Sequence, residues 1–131
     1  MNPPHPAQFH LLGPVLYTAG LSMQGAMAER VEAGAPDQVL VLEHDPVYTL
    51  GRHATFRDIH VDAGFLEEAG IRTHRVDRGG QVTYHGPGQV VVYPICGLRG
   101  PGRDLRRFVW GLEEAMILAA KDFGVRATRL E

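Results

Sequence analysis

Apolar positions recur along this chain with two different periods. Leu16, Ala19, Met23, Met27 and Val31 lie three and four residues apart, which puts them on one face of a helix from about Tyr17 to Ala33, and Gly34-Ala35-Pro36 breaks it. Gln8 to Leu12 is short and mostly apolar and reads as a first strand. Gln38 to Leu42, Gln-Val-Leu-Val-Leu, is aliphatic at successive positions, as in a strand covered on both faces, so it belongs inside a sheet. The stretch from Glu43 to about His60 reads as loop; a short helix over Gly64 to Ala69, stopped by Gly70, and a strand over Thr73 to Val76 follow. Gln89 to Ile95, Gln-Val-Val-Val-Tyr-Pro-Ile, is a further strand in which Pro94, lacking an N–H, must sit at an end or an edge. After Pro101-Gly102, Asp104 can cap a helix whose apolar face is Leu105, Phe108, Leu112, Met116, Ala119 and Phe123, with Gly124 as its stop. Strands mixed with helices predict a layered α+β unit: a mixed β-sheet with helices packed on it.

Composition narrows the function classes. With 131 residues, 44% hydrophobic and 21% charged, the chain can bury one ordinary core, so residues 1–131 are expected to form a single domain. Thirteen Lys and Arg against 15 Asp and Glu give a net charge of -2, which leaves no global basic field and disfavours nucleic acid as a partner. No apolar run approaches the ~20 residues that span a bilayer, and Met1-Asn2-Pro3-Pro4-His5-Pro6 has neither the charged nor the apolar region of a secretory signal, so no membrane role and a cytoplasmic address are expected. The one cysteine, Cys96, excludes an internal disulfide and a thiolate-rich zinc site. His44, His53, His60, His74 and His85 fit no compact ligand spacing, so no metal is expected.

The chemistry is concentrated in Arg78-Gly79-Gly80-Gln81-Val82-Thr83-Tyr84-His85-Gly86-Pro87-Gly88-Gln89, which joins four glycines to titratable and hydroxyl side chains between apolar strands. Two readings stand. In one, the glycines bring the backbone close to a ligand while Arg78, Thr83 and His85 supply donors to a carbonyl or carboxylate. In the other, the glycines only make turns and His85 is an internal hydrogen-bonder.

The run Arg-Gly-Gly-x-x-Thr-Tyr-His-Gly-Pro-Gly-Gln, followed by an apolar strand ending Tyr-Pro, resembles the signature of the lipoyl(octanoyl) transferases. Upstream, Leu42-Glu43-His44-Asp45-Pro46-Val47-Tyr48-Thr49-Leu50-Gly51-Arg52 is similar to a second block of that family, with Asp45 where Pro is common, and Tyr17 and Gln24 match its first helix. The resemblance implies the fold of the biotin and lipoate protein ligase catalytic domain. It also implies a two-step acyl transfer: octanoate passes from acyl carrier protein to an enzyme cysteine as a thioester, then to a lysine of a lipoyl domain. The acceptors would be the lipoyl domains of 2-oxoacid dehydrogenases and the glycine cleavage H protein, and no cofactor is required. Carried onto this sequence, the substrate-binding residues are Arg78, Gly79, Gly80, Gln81, Val82, Thr83, Tyr84 and His85, with Tyr17 and His44 as pocket residues.

The family's nucleophilic cysteine and the lysine that activates it lie downstream of the matching blocks, so neither is expected within residues 1–131, and the chain by itself is expected to be inactive. It reads as the N-terminal part of a longer catalytic domain, and a sheet edge left unpaired at its end favours self-association. Cys96 stands where the family has an aliphatic residue and reads as a small buried hydrophobe; Lys121, the only lysine, reads as a solvated charge at the negative end of the last helix. Arg99, Arg103, Arg106 and Arg107 cluster where a helix dipole disfavours cations, which suits either a surface balanced by Asp104, Glu113 and Glu114 or a landing site for the anionic carrier protein. The alternatives to a transferase are an ATP-dependent lipoate- or biotin-type ligase and a binding-only acyl or lipoyl-domain module.

Overall fold

The structure, a computed structural model, describes residues 7–98 and 104–130, which fall into two compact units, one running through Cys96 and the other from Gly97 onward. The first unit contains β1 (Ala7–Val15), α1 (Tyr17–Glu32), β2 (Asp37–His44), β3 (Val47–Leu50), a 3-10 turn (Phe56–Asp58), α2 (Ala63–Glu68), β4 (Arg72–Arg75), β5 (Val82–His85) and β6 (Val91–Ile95). The second contains α3 (Leu105–Asp122).

Two three-stranded sheets form the first unit, ordered β1-β2-β6 and β4-β3-β5. Each is mixed, with one parallel and one antiparallel pair about its central strand, as the α+β expectation required. The aliphatic run of β2 is central in the first sheet, where Gln38, Leu40, Leu42 and His44 are fully buried on one face. α1 packs against β2 and β6. The other face is less covered than the sequence suggests: Phe9 and Leu11, aligned with Val39 and Val41, remain 69% and 80% exposed. Pro94 lies on β6, an edge strand of this sheet, where its missing N–H interrupts pairing on one side only.

The second sheet was the part least visible in the sequence. Its central strand, Val47-Tyr48-Thr49-Leu50, falls inside the stretch read as loop; Asp45-Pro46 separates it from β2, and four residues are too few to show a period. Val82 to His85 is likewise a strand. It pairs antiparallel with β3 rather than forming a hairpin with its sequence neighbour β6. One face of this sheet carries a small core of Leu50, Ala54, Ile59 and Leu66, joined by Tyr48, Ile71 and Val82. The Asp62 carboxylate caps α2 by accepting from Phe65 N at 2.8 Å.

The remaining boundaries differ from the sequence reading by one to three residues, as the ends of elements commonly do: β1 extends to Val15, and β6 begins at Val91. In the second unit the Asp104 carboxylate accepts from Arg106 N at 2.7 Å and Arg107 N at 3.1 Å, and Gly124 ends the helix at φ +75°. No residue of α3 is buried. Arg129 folds back onto it, pairing with Glu113 at 3.1 Å and Glu114 at 2.6 Å and lying 4.3 Å over the Trp110 ring. Among the described residues no helix is long and apolar enough to cross a membrane.

Candidate functional site

Strand alternation decides which side chains meet. In the register of the second sheet, Val47 and Thr49 of β3 align with His85 and Thr83 of β5, and Thr49 also aligns with His74 of β4, so these side chains share the face opposite the small core. Tyr17, the first residue of α1, brings its ring to this face. Its centroid lies 5.1 Å from His44, 5.4 Å from His74 and 6.2 Å from His85, with the last ring nearly parallel at 13°. His44 and His85 are 5.9 Å apart. Burial pushes the Tyr17 hydroxyl up from the ordinary tyrosine value, opposed by the nearby positive charge of Arg78.

His44 is locked. Its Nδ1 is 2.8 Å from the Val15 carbonyl oxygen and its Nε2 is 2.8 Å from the Tyr93 hydroxyl. Because a carbonyl only accepts, Nδ1 carries the hydrogen, and Nε2 accepts from the Tyr93 O–H. Burial first, then the neighbouring Tyr17, pushes the Tyr93 hydroxyl up to about 12, with the Gln24 amide acting in the other direction. Gly20 makes room for this imidazole: a Cβ there would lie 2.8 Å from His44 Cε1.

Arg78 is committed to the protein itself. Its Nη2 donates to Thr49 O at 3.0 Å, Thr49 Oγ1 at 2.8 Å and Thr83 Oγ1 at 2.8 Å, and its Nη1 to Gly79 O at 2.9 Å. It thus fastens β3 to β5 and holds the Gly79-Gly80 bend, where Gly80 takes φ +80°. The bend packs on Gly51, whose missing Cβ would meet the carbonyl oxygens of Gly79 and Gly80. Beyond β5, Gln89 N donates to Gly86 O at 3.1 Å across Pro87 and Gly88, and the φ of +86° at Gly88 makes this a type II turn. Glu43 Oε2 of β2 accepts from Gly88 N at 2.9 Å and ties the turn to the first sheet.

The structure therefore divides the expected octet. Arg78, Thr83 and His85 belong to the Tyr17 and His44 cluster. Val82 joins the small core, and Tyr84 lies on the same side as Val82 with its ring 5.2 Å from Tyr48. Gly79, Gly80 and Gln81 form the exposed bend. Arg78, expected to supply a donor to a ligand, directs both guanidinium Nη atoms to the internal network just described, whereas Thr83 Oγ1 only accepts in it. Sequence reasoning did not assign to the site Thr49, Tyr93 and Glu43, although all three lie in the matching blocks, nor His74, weighed only as a metal ligand; the target of Glu43 lies 45 residues away. Cys96, expected to be buried, is half-buried. Lys121 is exposed, as expected, and Arg99 and Arg103 lie outside the described residues.

The family model for the lipoyl protein ligase A/B catalytic domain matches residues 17–131. The chain belongs to this family. Within the lipoyl protein ligase A/B family it is 46% identical over 122 residues to an octanoyltransferase of Caldicellulosiruptor bescii, covering 92% of this chain and 54% of that protein. It is 44% identical over 119 residues to an octanoyltransferase of Geobacter metallireducens, covering 90% and 53%. The chain thus spans about half the length of the curated relatives it matches. Among solved structures it is similar to a lipoate-protein ligase A bound with ATP, at TM-score 0.74 and 20% identity over 95% of this chain and 50% of that one. It is similar also to a structure of a bi-partite lipoate protein ligase and its E2 lipoyl domain from Thermoplasma acidophilum, at TM-score 0.67 and 19% identity over 95% and 48%. The fold is that of the ligase catalytic domains, as the sequence resemblance implied.

Proposed function

We propose that this chain is the N-terminal part of a longer catalytic domain that transfers octanoyl groups. The acyl group comes from acyl carrier protein, rests on a cysteine as a thioester and passes to a lysine of a lipoyl domain, with the 2-oxoacid dehydrogenase domains and the glycine cleavage H protein as acceptors. The observation that carries this reading is that His85, which shares a face of β5 with Thr83 in the run that resembles the transferase signature, lies against the rings of Tyr17 and His44 from the other two matching blocks. Relatives more than 40% identical over some nine-tenths of this chain bear the name octanoyltransferase, which supports the same reading.

In the first step a cysteine thiolate attacks the donor thioester carbonyl; a new C–S bond forms and the carrier's thiolate leaves. In the second a lysine amine attacks, the C–N bond forms, the C–S bond breaks, and the amine's hydrogen ends on the departing sulfur. The first step keeps the group-transfer potential of the donor thioester and the second spends it in forming the amide, so no nucleotide is consumed. We assign the reactive cysteine and its activating lysine to the half of the relatives' length that this chain does not span. Here the bend and strand from Arg78 to His85, with Tyr17 and His44, form a wall of the acyl site. Arg78 shapes that wall through Thr49 and Thr83. The setting is cytoplasmic.

Mass spectrometry of the full-length protein mixed with octanoyl carrier protein, without acceptor or ATP, tests this. An octanoyl adduct on a cysteine outside residues 1–131, labile to hydroxylamine, is expected. An adduct that forms only after ATP is added identifies a ligase and overturns the transferase reading.

A further inference from the structure

The hydrogen bonds around the cluster are unequal in what they leave over. Both ring nitrogens of His44 are occupied, and the Arg78 guanidinium is bonded to Thr49, Thr83 and Gly79. His85 differs. Its Nδ1 lies 2.6 Å from Gln89 Oε1, while the amide nitrogen of Gln89 donates to Tyr84 O at 3.2 Å. That second bond fixes which end of the amide is oxygen, so Gln89 Oε1 accepts and His85 Nδ1 carries the hydrogen. Gln89 is itself held, because it closes the type II turn whose Gly88 N–H is bound by Glu43. Among the described residues His85 Nε2 has no hydrogen-bond partner.

We propose that Gln89 is a positioning residue that fixes His85 in its Nδ1–H form, so that Nε2 is offered to the bound molecule as an acceptor for an N–H group. This reverses the polarity suggested by the sequence, in which the segment donates to a carbonyl or carboxylate. The proposal rests on the acyl-transfer reading for the identity of the molecule. Two kinds of N–H group then reach the site: the amides of the carrier's pantetheine arm and the amine of the acceptor lysine.

The tautomer is read directly from ring-nitrogen chemical shifts in long-range proton–nitrogen spectra of the protein, with His44 as an internal control. The expected result is Nδ1–H for both histidines in the wild type. In Gln89→Leu, His85 loses the Nδ1–H signature while His44 keeps it; in Gln89→Glu, whose carboxylate also accepts from Nδ1, His85 regains it. Wild-type His85 in the Nε2–H form, or an Nδ1–H form that persists in Gln89→Leu, overturns the proposal. In the full-length enzyme Gln89→Leu is expected to slow one half-reaction about tenfold, the factor that one lost hydrogen bond of ordinary strength is worth. Slower adduct formation assigns the contact to a pantetheine amide, slower transfer from adduct to lipoyl domain assigns it to the lysine amine, and unchanged rates in both overturn the ligand contact. A wild-type enzyme that shows the Nδ1–H form but makes no octanoyl adduct refutes the acyl-transfer reading and leaves the positioning role of Gln89 supported.

Discussion

At the scale of single residues, His44 shows how one imidazole organises a site without being free to react. Tyr93→Phe keeps the ring and removes only the hydroxyl hydrogen that His44 Nε2 accepts. A buried acceptor left unpaired costs about 1–3 kcal/mol, so urea unfolding should show a loss of that size. The pH dependence has a definite sign. Tyr93 titrates near 12 in the folded protein against an ordinary value of 10.0, so folding favours its neutral form. This contribution is complete below pH 10.0 and disappears as the pH rises toward 12. Phenolate absorbance is therefore expected to show Tyr93 ionising late, together with alkaline loss of fold, and Tyr93→Phe should remove its share of the late component while leaving that of Tyr17, which burial also raises. Gly20 and Gly25 make a second test within α1. Alanine in place of helical glycine brings about 0.5–1 kcal/mol, which Gly25→Ala should deliver because nothing lies within 4 Å of its added Cβ. Gly20→Ala meets His44 at 2.8 Å instead. Overpacking costs about 1–3 kcal/mol, so a net loss in thermal or urea unfolding is expected. Equal behaviour of the two variants would show that His44 is not packed as described.

At the scale of elements, the bend between β4 and β5 is held by Gly51, just after β3, and by its own Arg78, which reaches Thr49 of β3 and Thr83 of β5. Gly51→Ala places a methyl against the backbone carbonyls of Gly79 and Gly80, which cannot rotate away as a side chain can. A loss toward the upper end of the ~1–3 kcal/mol overpacking range is expected. Arg78→Lys keeps the charge and loses the planar fork that reaches Thr49, Thr83 and Gly79 together. We expect it to destabilise the chain by about 1–3 kcal/mol and to raise hydrogen exchange in β5 more than in β2. The variant is thus structural, and any change in the proposed transfer by the full-length protein carrying Arg78→Lys has to be compared with its exchange pattern before it is ascribed to substrate contact. The long elements were legible in the sequence because their periods run for many residues: α1 and α3 were found within a residue, and Asp104 and Gly124 mark the ends of α3 as expected. β3 was not legible. Four residues after a proline carry no period, and its strand character comes from two partners, Arg72–Arg75 and Val82–His85, that lie far along the chain.

At the scale of the whole molecule, burial is uneven, and stability against local opening should follow it. Leu40 and Leu42 of β2 are almost wholly buried, whereas α3 buries no residue and is tied within its own unit by exposed or half-exposed ion pairs to Arg129. Amides of β2 are therefore expected to exchange last and those of α3 early, with Arg129→Ala quickening α3 and leaving β2 unchanged. Such ion pairs contribute only ~0–1 kcal/mol, so the effect should be local. The sequence by itself determined the mixed α+β class, the two long helices, the central strand β2 and the glycine-rich segment that brings Arg78, Thr83 and His85 to the cluster. These depend on periodicity, capping and composition, which neighbouring residues impose on one another. Tertiary structure alone decided the polarity of the site. Whether Arg78 is a free donor or a fastener, whether Val82 and Tyr84 face the cluster or turn away, and which nitrogen of His85 is left over depend on strand register and on partners distant in sequence, such as Thr49 for Arg78 and Glu43 for the turn that carries Gln89. A residue's type fixes what it can donate or accept; only the fold fixes which of those capacities its neighbours have already used.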